Sequence, residues 1–430
     1  MSGSRRTHAV MNSSNLPSYV ITTSARWQSR PSQTTIFCSS SSGSTSPGSG
    51  SARSCVHYTR WQGSAGDGEK ELAYRLLYVN LRFCDSEHVS RFLRHVEVQT
   101  EREDGTRPNL ATTRRLLLCL RHYYSSSRYR EPCSPGLFCI LPRLKQVIAL
   151  EALPVGGLAA LNRCCGHSLE QLELVIDSDS LDTTTVDSFN ELKSLKQLSA
   201  TFLMGKEEGV RIETGELHVS LPTVYYLKLL FITWHRSADV FFTAFNFPAL
   251  TSLYISDSLT VQHASIDRFF TRHRAAVTDL DINTRPTPLD AWSLHSLSSF
   301  TRLRCLTLRW VPNAFFCKKL PPSLEELRIP MFRFQPATSR RNLDPLPERG
   351  SFDSQWAFLT ALLASPPAGL KIVRGRNIYV GPGSWLLDWS NVSRTAEPAS
   401  AEQFIDLAAA LEQKEIQLLD WRGERASQAI

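Results

Sequence analysis

The sequence predicts an α/β solenoid, with parallel strands lining a concave face, helices covering a convex face, and a disordered tail in front. Three observations predict it: a six-residue aliphatic motif that recurs, a proline at a set offset before that motif, and helix-like stretches filling the intervals. The motif reads LxxLxL, with Val, Ile or Ala allowed. It occurs as LKQVIA at Leu144, LEQLEL at Leu169, LKQLSA at Leu195, VYYLKL at Val224, LTSLYI at Leu250, VTDLDI at Val277, LRCLTL at Leu303 and LEELRI at Leu324. Successive motifs start 25, 26, 29, 26, 27, 26 and 21 residues apart. So permissive a pattern matches by chance, but chance matches cluster and overlap. One match per near-constant interval is the mark of a repeat.

The interval is of a size typical for leucine-rich repeats, so the expected architecture is a leucine-rich-repeat-like solenoid. Pro142, Pro222, Pro248 and Pro322 each stand two residues before the first aliphatic position of a motif. Proline fixes its own φ and cannot continue a helix, so it ends one element and sets the start of an extended one. Between motifs, Thr184 to Leu192, Ala238 to Phe245, Ala264 to Arg274 and Pro288 to Ser298 read as helices, the last with Thr287 as N-cap and proline at the first helical position. One strand and one helix cannot bury their apolar faces alone, so each pair must stack on the next.

The period of two along a strand turns the aliphatic positions inward and the intervening ones outward. The outward central residues are Ile148, Glu173, Ser199, Lys228, Tyr254, Asp281, Thr307 and Arg328, flanked by Gln171, Tyr226, Asp279 and Arg309. Glu173, Tyr226, Lys228, Tyr254, Asp281, Thr307, Arg309 and Arg328 are the expected partner-binding residues of the concave face. Both charge signs together with Tyr suit a protein partner and serve a polyanion poorly. Net charge agrees once it is located. The whole chain carries +7, yet residues 1–66 hold six Arg and no Lys, Asp or Glu, which leaves 42 basic against 41 acidic side chains in residues 67–430. The pI of 8.9 therefore describes a tail, and no nucleic-acid partner is expected.

Residues 1–66 also hold 18 Ser and few aliphatic side chains, a composition too polar to offset its conformational entropy by burial. A disordered Ser/Arg-rich tail is expected there. Residues 67–140 read as a cap or irregular first repeats, with strand candidates at Leu76 to Phe83 and Phe92 to Val98 and a helix around Leu110 to His122. The solenoid proper spans 141–335, and 336–430 hold irregular C-terminal repeats and a cap: a helix at Ser354 to Leu363, strand-like LKIV at Leu370, a helix at Ala401 to Glu412 and then IQLLDW. The 42% of hydrophobic residues is enough for a large core, while no apolar run reaches the roughly 18 residues a membrane span needs.

The ten cysteines show no CxxC pair and no zinc-like spacing with His. Several lie inside hydrophobic patterns and read as small buried hydrophobes in a reducing compartment. Asp177-Ser-Asp179-Ser-Leu-Asp182 lacks the glycine and the closing glutamate of a calcium loop. Gly381-Pro-Gly383 lacks the further glycine or Lys-Ser/Thr pair of a phosphate loop. No GxSxG or HExxH is present. No catalytic residue, metal or cofactor is expected.

The stretch YRLLYVNLRFCDSEHVSRFLRHVEV, followed by LPRLKQV and the stacked LxxLxL units, resembles the region after the F-box in fungal F-box and leucine-rich-repeat-like proteins. The resemblance covers roughly residues 70–330. It implies a non-enzymatic interaction protein, the substrate-recognition subunit of an SCF-type ubiquitin ligase, cytoplasmic or nuclear, whose repeats hold a protein substrate. Docking on a Skp adaptor and cullin would need an F-box, and no LPxEIxxxI-like opening precedes Leu76. The Asn of regular leucine-rich repeats is also missing, its places being held by Ala152, Asp177, Leu203, Ile232, Ser258, Arg285, Val311 and Phe332. The turns must then satisfy their backbone groups by other means. Two other readings stay open: a mitochondrially targeted solenoid protein led by its Arg/Ser-rich segment, and an enzyme with a dispersed active site.

Overall fold

The computed structural model describes residues 78–83, 86–101, 110–118, 136–153, 156–176, 183–203, 218–231, 236–257, 264–284, 297–331, 352–376, 389 and 398–425. All belong to one unit, Ala65–Ile430. The Ser/Arg-rich tail, the Asp177 to Asp182 segment, the Thr287-Pro288 helix start and the Gly381 to Gly383 turn lie outside the described residues. The strands are β1 (Asn80–Phe83), β2 (Arg115–Leu118), β3 (Gln146–Ala152), β4 (Gln171–Ile176), β5 (Gln197–Phe202), β6 (Val219–Ser220), β7 (Tyr226–Phe231), β8 (Phe245–Asn246), β9 (Ser252–Asp257), β10 (Asp279–Thr284), β11 (Cys305–Leu308), β12 (Glu326–Ile329), β13 (Ile372–Gly375) and β14 (Gln417–Leu419). The helices are α1 (Ser86–Glu101), α2 (Gly136–Cys139), α3 (Gly157–Cys165), α4 (Thr183–Asn190), α5 (Arg236–Ala244), α6 (Ala264–His273), α7 (Phe352–Ala364) and α8 (Pro398–Glu412), with 3₁₀ turns at Leu110–Thr112 and Ala314–Lys319.

Twelve strands form one open sheet in the order β1-β2-β3-β4-β5-β7-β9-β10-β11-β12-β13-β14, every neighbouring pair parallel. Strand order thus follows chain order. β6 and β8 make a separate parallel pair. Parallel neighbours cannot be joined by a hairpin, so each step needs a crossover, and the eight helices of the described residues all lie in such crossovers.

The motif's middle aliphatic position forms one row across the sheet: Leu116, Val147, Leu172, Leu198, Leu227, Leu253, Leu280, Leu306, Leu327, Val373 and Leu418. Each of these is at most 2% exposed. Leu144, Leu169, Leu195, Val224, Leu250, Val277, Leu303 and Leu324, the first aliphatic positions, are wholly buried. The helices close the same core. Phe241 of α5 stacks 4.3 Å from Phe245 and meets Phe202 of β5 edge-on at 5.5 Å, while Phe242 meets Phe269 of α6 at 5.1 Å.

The four prolines occupy the second position of β-turns, where their fixed φ is favourable. The turns close by Leu144, Val224, Leu250 and Leu324 donating to the carbonyls of Leu141, Leu221, Phe247 and Pro321. The same turn recurs without proline at Leu195 and Leu303, which donate to Leu192 and Phe300. A second device recurs at the leading ends of the strands. At the start of β4, β5, β9, β11 and β12, two successive amides share one carbonyl of the preceding unit: Glu170 and Gln171 donate to Lys145, Lys196 and Gln197 to Glu170, Thr251 and Ser252 to Tyr225, Arg304 and Cys305 to Thr278, Glu325 and Glu326 to Arg304. Hydroxyls continue it, with Ser168, Thr223 and Ser323 donating to the carbonyls of Leu144, Leu195 and Leu303 at 2.8, 2.8 and 2.9 Å.

Two local expectations are corrected. Phe92 to Val98, expected as a strand, lies inside α1. Its buried residues Val89, Phe92 and Val96 recur at helical spacing, so the longer period wins once the residues before Phe92 are included. The helix expected around Leu110 to His122 is instead a 3₁₀ turn followed by β2, because RLLL is zipped between β1 and β3 and pairing outweighs the helix propensity of Leu and Arg. After Ile329, β13 and β14 keep the register.

His273 ends α6 only 3% exposed, against Phe247 and Phe269. Burial, with Arg272 beside it, pushes its imidazole down to about 4, against about 6.5 in an unfolded chain. Between these values the unfolded chain binds a proton that the folded one refuses. Stability present above pH 6.5 is therefore lost as the pH falls toward 4, by about 3 kcal/mol. Urea midpoints measured from pH 7 to 4 should fall steeply for the wild type and less for His273→Phe; parallel curves would refute the assignment.

Candidate functional site

Across the outward side of the sheet, register aligns Ile148, Glu173, Ser199, Lys228, Tyr254, Asp281, Thr307, Arg328 and Arg374 in a single lateral row. Neighbouring strands stand about 4.8 Å apart, so adjacent members of the row are in side-chain reach. A flanking row, two residues earlier, runs Gln146, Gln171, Gln197, Tyr226, Ser252, Asp279, Cys305, Glu326 and Ile372. Seven of the eight nominated residues therefore sit on strands in two adjacent rows. Arg309 follows β11 directly, its amide donating to the Ile282 carbonyl.

The half-buried members interact along the rows. Lys228 Nζ lies 5.7 Å from the centroid of the Tyr254 ring, within the range of a cation–π contact. Asn283 Nδ2 donates to Tyr254 Oη at 2.9 Å and to Ser256 Oγ at 2.7 Å, which locks the phenol in place. Burial raises the Tyr226 phenol, and Asp281, Tyr254 and Glu173 add to the shift. One nominated position, Thr307, and one further member of the central row, Ser199, contribute little surface. Thr307 is 7% exposed and Ser199, in the same row, 8%, so both lie beneath their larger neighbours.

The strongest electrostatics gather over β10 to β13. Arg376 grips Asp281 through two parallel bonds, Nη1 to Oδ1 at 2.9 Å and Nη2 to Oδ2 at 3.1 Å, the fork geometry that favours arginine over lysine. Burial nevertheless raises the Asp281 carboxyl; Arg376, and further off Arg309 and Arg328, pull the other way. Arg328 grips Glu326 in the same bidentate fashion, both bonds at 2.9 Å, and Arg374 Nε approaches the same carboxylate at 3.4 Å. The Arg328 fork holds the Glu326 carboxyl below its usual range. This end of the face thus presents Arg309, Arg328, Arg374 and Arg376 against Asp279, Asp281 and Glu326.

Glu326, Arg374 and Arg376 were not among the nominated residues. Glu326 stands in the flanking row, where alternation alone does not set it apart from Gln146, Ser252 or Ile372. The two arginines escaped because LKIVRG breaks the motif at its third aliphatic place, which is Gly375. A Cβ there would stand 2.9 Å from the Trp421 amide nitrogen, so the crossing main chain forbids a side chain. Leu370 and Val373, correctly spaced and followed by the strand, were the available signal.

At the leading ends of the strands a second ladder of exposed charges joins Lys145 to Glu170 at 2.6 Å and Lys196 to Glu170 at 2.9 Å. Farther along, Arg304 pairs with Glu325 at 2.8 Å, beside an open depression of about 430 Å³ that Thr278 and Lys371 also line. These pairs are solvent-facing and contribute little energy. The arrangement of the outward rows is suited to complementary binding of a polar, extended surface: fixed phenols, forked guanidinium groups and a carboxylate held in place. Among the described residues no group of three His, Cys, Asp or Glu is placed to hold a metal ion, and no helix is long and apolar enough to cross a membrane.

A scan against protein-family models finds no match for this chain, and a search of curated proteins finds none either.

Proposed function

We propose that this chain is a leucine-rich-repeat-like solenoid whose outward strand face binds a protein partner without catalysing a reaction. The observation that carries the reading is the unbroken lateral register, which brings Glu173, Lys228, Tyr254, Asp281 and Arg328 into one row. The solenoid reading draws support from strand order following chain order. It draws further support from Arg376 reaching Asp281 over the two strands between them, a reach that curvature toward that face shortens. Aromatic and arginine side chains of mixed charge sign are what protein interfaces favour.

The full chain, immobilised as bait, and its Tyr226→Ala/Lys228→Ala/Tyr254→Ala variant supply the test. A protein retained by the wild type should bind the variant more weakly by roughly tenfold or more, with both forms melting at the same temperature. Equal retention by both would remove the row from the interface. The narrower proposal of a ubiquitin-ligase substrate receptor rests on the likeness of residues 70–330 to F-box and leucine-rich-repeat-like proteins. It requires a Skp-type adaptor and a cullin among the retained proteins, and fails without them.

A further inference from the structure

α2 and α3 belong to consecutive crossovers and share the same core. α2 ends in Cys139, which is exposed, and α3 ends in Cys164, half-buried, and Cys165, buried. The three thiols have different surroundings. Cys165 Sγ is occupied by main-chain carbonyls, at 3.2 Å from Leu141 and 3.6 Å from Phe138. Cys164 points to the other side, where its Sγ meets that of Cys139 at 2.6 Å. Adjacent thiols at the ends of α2 and α3, one of them open to solvent, form a reactive pair with its resolving partner already in place. Cysteine placed merely to fill the core would show the surroundings of Cys165 instead.

We propose that Cys139 and Cys164 form a redox modification site that takes a small-molecule disulfide of the oxidised-glutathione class and closes a bond between consecutive crossovers. The Cys139 thiolate attacks one sulfur of the small disulfide, whose S–S bond breaks and releases one thiolate. Cys164 then attacks the Cys139 sulfur of the mixed disulfide, forming the protein S–S bond and releasing the second small thiolate. The two protons lost by the protein thiols end on the two released thiols, and the protein is oxidised by the two electrons the small disulfide gains. Cys139 is the first attacker because it is the exposed one. Burial and the neighbouring Cys139 push the Cys164 thiol up to about 11, which fits a group that reacts only when a mixed disulfide is presented to it. The closed loop contains the whole of β3, and constraining it stabilises the fold by restricting the unfolded chain.

Incubating the full chain in oxidised glutathione, followed by alkylation, tryptic digestion and mass spectrometry, tests the proposal. Trypsin places Cys139 in peptide 131–143 beside Cys133, and Cys164 in peptide 164–193 beside Cys165. The expected product is a cross-link between these two peptides that persists in Cys133→Ser and Cys165→Ala, disappears in Cys139→Ser and Cys164→Ser, and is reversed by reduced glutathione. Oxidised wild type should melt above reduced wild type, and Cys139→Ser should show no such difference. A cross-link that survives in Cys139→Ser, or wild-type protein carrying only glutathione adducts or no modification, would overturn it.

Discussion

Leu253→Ala and Leu306→Ala should each lower stability by about 2 to 5 kcal/mol, the cost of deleting buried carbons and leaving a cavity. Leu253 is 1% exposed and Leu306 wholly buried, both in the middle aliphatic row, with strands on either side and the core beneath. The neighbouring strands are pinned by their own ladders, so the space cannot close by a backbone shift. The contrast with the adjacent residue is what gives the experiment its force. Tyr254 is half-buried on the opposite side of the same strand, and Tyr254→Ala should change the melting temperature little. Chemical denaturation of the variants checks both halves. Equal stability of Leu253→Ala and wild type would mean that the inward and outward positions have been exchanged, which a one-residue slip of register would do.

Asp420→Ala should cost about 3 kcal/mol and loosen the β14 edge while leaving the middle of the sheet intact. Asp420 is wholly buried and its carboxylate accepts from three amides: Trp389 at 3.1 Å, Arg422 at 2.8 Å and Glu424 at 2.9 Å. Gly423, at φ +89°, completes the turn, which the Asp420 amide closes onto the Glu424 carbonyl. Removing the acceptor strands these donors, at about 1 to 3 kcal/mol for each that water does not reach. β14 is an edge strand paired within the sheet only to β13, so the loss should stay local. Hydrogen exchange should show lost protection in β14 and α8 and unchanged protection in β4 to β9; Asp420→Asn, which keeps one acceptor oxygen, should fall in between. Unaltered exchange throughout would show that Asp420 does not hold this end together.

The strand positions were legible because parallel pairing in chain order repeats one chemical requirement at one spacing. Every LxxLxL match supplies a strand of the large sheet, with the expected side chains in register. What misled was local ambiguity: FLRHVEV carries apolar residues that serve either period, and only the packing of Val89, Phe92 and Val96 into the core decides for a helix. The candidate site was half legible. Its row could be read from alternation, whereas its charge pairing could not, because Arg376 and Asp281 are 95 residues apart.

Composition and spacing were enough to specify the near-neutral body, the row of inward leucines and the outward residues between them, since each follows from burial acting on a short repeating unit. Tertiary contact alone decided which outward charges neutralise each other, that Thr307 is covered, that Gly375 must lack a side chain, and that Cys164 rather than Cys165 faces Cys139. These depend on distances between segments remote along the chain, and no periodicity of a single strand encodes such distances.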